Sequence, residues 1–106
     1  MAASAAEAFS AEAVPAKPGL VFFHSSREGS SRRVEGFLAQ VLQRRRNHGT
    51  FRLYDVAQER RPDLVERFEV ERLPTLVVVE GKRVRGRLEC PRGCREIEDF
   101  LAPWLN

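Results

Sequence analysis

The sequence predicts an α/β domain built on a mixed four-stranded sheet with helices on both faces. Short apolar runs alternate with segments of helical periodicity in the order β-α-β-α-β-β-α, the pattern of helices packed on a sheet. Helices between strands favour parallel pairs with right-handed crossovers. The connection Gly81-Lys82 joins the last two strand candidates and adds an antiparallel hairpin at the edge. The chain of 106 residues is long enough for one core of this kind.

The first strand and the first helix are predicted in the N-terminal half. Residues 20–23 form a continuous apolar run, which is typical of a strand buried on both faces. A serine-rich segment follows, and then apolar residues recur at i, i+3, i+4, i+7 and i+8, which places them on one face of a helix. These are Val34, Phe37, Leu38, Val41 and Leu42. Three arginines at 44–46 are expected to end this helix, where cations favour the negative pole of its dipole.

The middle of the chain predicts a second strand, a short helix and a third strand. Residues 51–56 are the strand candidate, and Pro62 suits the first position of the helix that follows. The apolar side of that helix consists of Leu64, Val65 and Phe68. The tripeptide Leu73-Pro74-Thr75 then leads into the apolar residues 76–79, a third buried strand.

The C-terminal part predicts a hairpin and a last helix. Gly81-Lys82 fits a type II′ turn with glycine first. In the returning strand, Val84, Gly86 and Leu88 are expected on one face, with arginines and Glu89 on a solvated face. The last helix has apolar residues at helical spacing, and Pro103 interrupts its final turn. These residues are Ile97, Phe100, Leu101, Trp104 and Leu105.

Composition limits the classes of function. Hydrophobic residues make up 42% of the chain and charged residues 31%, as in soluble globular domains. No apolar run approaches the about 20 residues that a membrane span needs, so no membrane partner is expected. The net charge of +3 comes from arginines spread over several elements without alternating aromatic residues, so no nucleic-acid partner is expected.

The N-terminus predicts an arm and a compartment. Residues 1–18 are rich in alanine and end in two prolines, which predicts a flexible or short-helical arm before a domain at 19–106. This segment lacks the basic region and apolar stretch of a secretory signal, so we expect a cytoplasmic protein. A monomer is the default expectation.

The element order resembles that of the thioredoxin family. The resemblance covers residues 19–105 and rests on three motifs. Residues 22–33 follow the family's strand-to-helix turn, Pro74 stands where the family keeps a cis-proline, and residues 79–84 match its hairpin. The resemblance implies a thioredoxin-like fold.

The sequence departs from the family where the chemistry lies. The family's turn carries Cys-Gly-Pro-Cys, and Arg27 and Phe22 replace its preceding tryptophan and its buried strand aspartate. The four turn positions here are Glu28, Gly29, Ser30 and Ser31. A thiolate is needed to attack a disulfide, so the standard dithiol mechanism is not available at this turn. The resemblance therefore implies a redox-inactive, thioredoxin-like domain.

Our leading interpretation is a protein-binding or chaperone-like module that grips an extended segment of a partner protein. The resemblance implies a groove between the turn and Pro74, where strand addition supplies main-chain hydrogen bonds. The alternatives are that the turn only caps a helix and that Pro74 only shapes a loop. The predicted binding residues are Arg27, Glu28, Gly29, Ser30, Ser31, Leu73, Pro74 and Cys90.

The two cysteines carry the alternative function, a non-canonical thiol-disulfide oxidoreductase or redox sensor. The resemblance places Cys90 beside the groove and Cys94 in the first turn of the last helix. A disulfide needs Cβ atoms about 3.5 to 4.5 Å apart, so Cys90 has to lie outside that helix. Pro91 is expected at its first position. The other interpretation is two unrelated small residues, with Cys94 partly buried.

Metal and serine chemistry are not predicted. Cys90, Cys94 and His24 are three ligands without a fourth, which falls short of a structural zinc site. Ser31 and His24 have no third group or oxyanion motif beside them, so serine hydrolysis is not expected. No cofactor is expected.

Overall fold

The computed structural model describes residues 17–27, 29–81 and 83–105, and the side chains of residues 45, 46 and 48 are left aside. The predicted N-terminal arm therefore lies outside the described residues up to residue 16, as do Glu28 and Lys82. The elements follow the predicted order. They are β1 (Gly19–His24), α1 (Gly29–Gln43), β2 (Arg52–Ala57), α2 (Pro62–Arg67), β3 (Thr75–Glu80), β4 (Arg83–Glu89) and α3 (Cys94–Leu101).

The four strands form one mixed sheet in the order β2-β1-β3-β4. The pair β1–β2 is parallel, whereas β3 is antiparallel to both β1 and β4. The expectation that every helix connects parallel strands is therefore wrong for α2. Its six residues span only about 9 Å, less than half of a six-residue strand at about 20 Å. β3 consequently begins at the edge where β2 ends, and Phe23 pairs with both Val56 and Thr75.

Hydrophobic cores lie on both faces of the sheet, as the unbroken apolar runs predict. In β1, Leu20 and Phe22 face the core under α1 and α3, and Val21 and Phe23 face the core under α2. All four side chains are buried. Burial of a side chain of this size stabilises the fold by about 1.5–3 kcal/mol. The two central strands, β1 and β3, are therefore packed on both faces of the sheet.

α1 contributes its predicted apolar face to the larger core. Val34, Leu38 and Val41 are buried there, and Phe37 is half-buried. The α-helix ends at Gln43, before the arginines expected to end it, and a 3-10 helix over Arg44–Gly49 carries the chain on. Tighter 3-10 turns are common at the ends of α-helices.

β4 differs from its predicted alternation because it contains a β-bulge. Val79 pairs with Val84 but Val78 pairs with Gly86, so Arg85 is the extra residue. Directly paired residues lie on the same face, so Val84 lies on the face of Val79, opposite to Gly86. A Cβ on Gly86 would lie 3.1 Å from Phe100 Cε1, so glycine lets Phe100 of α3 pack closely on the strand.

α3 has only eight residues. It ends at Leu101, two residues before Pro103, so the predicted helix residues Trp104 and Leu105 lie beyond it, although both pack against the larger core. Within residues 17–27, 29–81 and 83–105, no helix is both long and apolar enough to cross a membrane.

Candidate functional site

A groove of about 370 Å³ lies at the sheet edge where β1 and β4 end and β3 begins. Three separate segments line it: α1, the residues before β3 and the loop after β4. The structure thereby brings four of the predicted binding residues to one place, namely Ser30, Leu73, Pro74 and Cys90. The remaining lining residues are Arg33, Val34, Phe37, Pro91 and Arg92.

One wall of the groove is main chain, held from both sides. The Leu73–Pro74 peptide bond is cis. The Cys90 N–H donates to the Pro74 carbonyl at 2.8 Å, and the Cys90 thiol donates to the Leu73 carbonyl at 3.6 Å. On the other side, the buried Thr75 hydroxyl donates to the Arg72 carbonyl at 2.6 Å. These bonds fix Leu73 and Pro74 relative to the loop after β4.

Cys90 adopts a backbone conformation that is uncommon for a residue with a side chain. Its φ is +46°, in the left-handed region, while its side chain is exposed on the groove. This conformation costs about 1–2 kcal/mol in a residue other than glycine. The two hydrogen bonds from Cys90 to Leu73 and Pro74 help to offset that cost.

The opposite wall is the first two turns of α1. Ser30 and Arg33 are exposed, Val34 is buried and Phe37 is half-buried. These four residues have the spacing i, i+3, i+4 and i+7, which places them on one helix face. The helical periodicity predicted only core positions for Val34 and Phe37 and did not single out Arg33. The i, i+3, i+4, i+7 spacing from Ser30 could have predicted that these residues share the helix face that lines the groove.

Ser31 serves the turn rather than the groove surface. It is buried, and its Oγ accepts the Ser25 N–H at 3.1 Å. Arg27 and Gly29 are exposed beside the groove and are not among its lining residues, and Glu28 lies outside the described part of the chain. The position of the family's second cysteine therefore holds a hydroxyl that anchors the strand-to-helix turn.

A network of hydrogen bonds around Glu59 also anchors this turn, and no pattern in the sequence indicated it. The Ser25 hydroxyl donates to Glu59 Oε2 at 2.6 Å, and the Ser26 N–H donates to Oε1 at 3.3 Å. The Arg27 N–H donates to the Ser25 Oγ at 3.2 Å. Hydrogen bonds to a carboxylate favour its charged form, and those from Ser25, foremost, and Ser26 lower the pKa of Glu59 to about 2. Glu59 thus connects the loop after β2 to the loop after β1 through these hydrogen bonds.

The side chain of His24 contacts Asp55 of β2 rather than either cysteine thiol. Its ring donates a hydrogen bond to Asp55, and it stacks on the Phe22 ring with the centroids 4.9 Å apart. Phe22, at the position of the family's buried aspartate, is itself buried. Among residues 17–27, 29–81 and 83–105, no three histidine, cysteine or acidic side chains lie together in a way that could hold a metal ion.

The two cysteines are free thiols with different neighbours. Cys94 is the half-buried first residue of α3, and its thiol donates to Gln40 Oε1 at 3.1 Å. Cys90 lies outside the helix, as predicted, but the position expected for Pro91 is wrong. Pro91 is buried in the loop, and Gly93 precedes the helix instead. The Arg92 N–H, two residues before the helix, donates to Glu96 Oε1 in its first turn at 3.0 Å.

No protein-family model and no curated protein sequence matches the chain. Several solved structures, in contrast, have a backbone similar to that of this chain. The thioredoxin Deadhead from Drosophila melanogaster superposes with a TM-score of 0.76 at 16% identity, over 99% of this chain and 100% of that one. Trxlp from Edwardsiella tarda gives 0.74 at 18% identity, over 83% and 84% of the two chains. Desulfothioredoxin from Desulfovibrio vulgaris gives 0.73 at 24% identity, over 96% and 90%.

These similarities show that the chain has the thioredoxin fold, and the predicted fold class is confirmed. The chain lacks a Cys-x-x-Cys motif, because its two cysteines are four positions apart, and of the two only Cys90 is among the lining residues of the groove. A fold does not by itself carry an activity. The activity has to be argued from the residues of the groove.

Proposed function

We propose that this domain binds an extended segment of a partner protein in the groove and that it does so without dithiol-disulfide chemistry. The observation that carries the proposal is a groove in which Leu73 and Pro74 line one wall and the face of α1 with Val34 and Phe37 lines the other. An extended segment placed there adds as a strand, and main-chain hydrogen bonds supply much of its affinity.

The Leu73 carbonyl is a suitable acceptor for such a segment. Its partner is the Cys90 thiol, and a thiol is a weak hydrogen-bond donor. A main-chain N–H of a partner is a stronger donor and can replace the thiol at little cost. The half-buried Phe37 side chain, with Pro74 and Pro91, offers an apolar surface for a side chain of the segment.

The turn supports binding without redox chemistry. By the resemblance, Glu28 and Ser31 stand at the two positions where a redox thioredoxin carries its thiols. Neither a carboxylate nor a serine hydroxyl replaces the thiolate that attacks a disulfide. The Ser31 Oγ is moreover occupied by the Ser25 N–H.

Selection of peptides from a random display library on the wild-type protein tests the proposal, with fluorescence anisotropy for the affinities. Ser30→Trp fills the groove from an exposed position of α1, and Ala39→Trp adds the same ring at an exposed position of that helix outside the groove. We expect Ser30→Trp to weaken binding at least tenfold and Ala39→Trp to leave it unchanged. Equal affinities for both variants, or no selected peptide, would refute the proposal.

A second candidate function is redox chemistry by Cys90 and Cys94. The exposed Cys90 thiol on the groove favours it. Oxidation would join the two sulfurs with loss of two protons and two electrons, which a partner disulfide would accept to become two thiols. The Cys94 thiol would first have to leave Gln40 and Phe37, which accept its hydrogen bonds at 3.1 and 3.7 Å.

A redox titration distinguishes the two functions. The protein is equilibrated in thiol buffers of graded potential, alkylated and weighed, with Cys94→Ser as the control. An intramolecular disulfide with a midpoint between roughly −200 and −300 mV would favour the redox function. We expect both thiols to stay reduced or to react independently.

The proposed compartment is the cytoplasm and the proposed state is a monomer. A reducing compartment keeps thiols free, in agreement with the two unpaired cysteines. A fluorescent fusion and light scattering on the purified protein test these two points.

A further inference from the structure

The charged side chains that line the groove are both arginines. Arg33 comes from α1 and Arg92 from the loop after β4, so the positive charges stand on opposite walls. Both side chains are exposed to solvent. Among the described residues that line the groove there is no carboxylate.

The helix ends add to this positive potential. α1 begins at Gly29 and α3 begins at Cys94, both beside the groove, and the N-terminal end of a helix carries a partial positive charge. Carboxylates near this edge have other partners or positions: Glu96 Oε1 accepts the Arg92 N–H at 3.0 Å, Glu59 accepts hydrogen bonds from Ser25 and Ser26, and Glu89 lines a different cavity beside α2.

The positive charge of the groove is separated from the negative charge of another cavity, whereas two further cavities carry both signs. A second surface cavity, beside α2 and the end of β4, gathers glutamates around one arginine. Its charged residues are Glu66, Glu69, Glu71, Glu89 and Arg87. The net charge of +3 does not account for such a separation, so the positive groove is a local property.

We propose that the groove selects extended protein segments that carry aspartate or glutamate beside an apolar residue. This selectivity rests on the proposed function and specifies its partner. The apolar residue packs against Phe37 and Pro74, and the flanking carboxylates pair with Arg33 and Arg92. Exposed ion pairs are weak, so each arginine is expected to improve affinity about two- to fivefold.

The test uses three fluorescein-labelled forms of the peptide selected on the wild-type protein. The residues that flank its apolar centre are all aspartate, all asparagine or all lysine. Arg33→Gln and Arg92→Gln remove one groove charge each, and Arg67→Gln on α2 is the control that lowers the net charge equally away from the groove. Unlabelled oligothymidylate of matched length is the competitor.

We expect the aspartate peptide to bind about four- to twentyfold more tightly than the asparagine peptide, and the lysine peptide to bind most weakly. The preference should shrink in each groove variant, persist in Arg67→Gln and weaken at high salt, because screening shortens the range of exposed charges. Equal binding of the three peptides, with Ser30→Trp still blocking them, would overturn the selectivity and leave the proposed function standing.

Two other outcomes are decisive. If no peptide is selected on the wild-type protein, or if Ser30→Trp binds as wild type does, the proposed function fails and the selectivity fails with it. If oligothymidylate displaces the aspartate peptide at equal or lower concentration, the positive groove is a nucleic-acid site and the assignment of a protein segment is overturned.

Discussion

Replacing Ser31 with alanine tests whether this residue holds the strand-to-helix turn. The substitution removes the Oγ that accepts the buried Ser25 N–H at 3.1 Å. An unpaired buried N–H costs about 1–3 kcal/mol. Alanine is the better helix former by about 0.5 kcal/mol, which partly offsets the loss. Ser30→Ala is the matched control, because Ser30 is exposed in the same helical turn and receives the same gain.

The difference between the two variants therefore isolates the hydrogen bond. We expect Ser31→Ala to be less stable than Ser30→Ala by about 1–3 kcal/mol. For a domain of this size the melting temperature then falls by about 4–24 °C. Urea unfolding can be followed by the single tryptophan, Trp104, which packs on Phe51 with the ring centroids 6.4 Å apart. Unfolding free energies within about 0.5 kcal/mol of each other would refute the structural role of Ser31.

Three further predictions concern other contacts. The carboxyl group of Glu59 should titrate with a pKa of about 2 by NMR and move toward 4.5 in Ser25→Ala, and the stability it contributes, present above pH of about 4.5, should disappear as pH falls through about 2. Arg87→Ala should cost about 1–2 kcal/mol in urea unfolding, because its guanidinium donates to the Phe68 and Glu69 carbonyls at 2.6 and 3.0 Å. Arg85→Ala, the control, should cost less than about 1 kcal/mol, since its ion pair with Glu80 is exposed. Gly81→Ala should lower the free energy of unfolding by about 1–2 kcal/mol, because φ is +58° there, and Gly81→Asn should lower it less. Equal losses of stability in Arg87→Ala and Arg85→Ala, or in Gly81→Ala and Gly81→Asn, would contradict these assignments. A Glu59 pKa that does not move in Ser25→Ala would contradict the first.

The elements with a local signature were predictable. The apolar run of β1 and the helical spacing of α1 depend on neighbouring residues alone, and both elements lie where the pattern indicates. The position of Pro62 at the start of α2 likewise follows from local geometry. The order of these elements is compatible with only a few sheet topologies, so the fold class was predictable as well.

The sequence predictions failed for features that depend on contacts between residues far apart in the chain. The β4 bulge depends on how the strand pairs with β3, and alternation within β4 does not reveal it. The anchor of the turn joins Ser25 to Glu59 across 34 positions, and no spacing rule connects them. Arg33 is an ordinary exposed helix residue in the sequence, and only the arrival of the Cys90 loop opposite it makes it part of a groove wall.

The bulge in β4 has a consequence for how copies of this protein meet in concentrated solution. β4 is an edge strand among the described residues, and a flat edge with free main-chain groups invites pairing with another chain. The extra residue, Arg85, interrupts that edge, and exposed charged side chains at Arg83 and Arg87 flank it. Deleting Arg85 would straighten the strand, with Val84 directly before Gly86 and still paired with Val79. Such a deletion should favour aggregation, which makes this one irregular position a safeguard of colloidal stability.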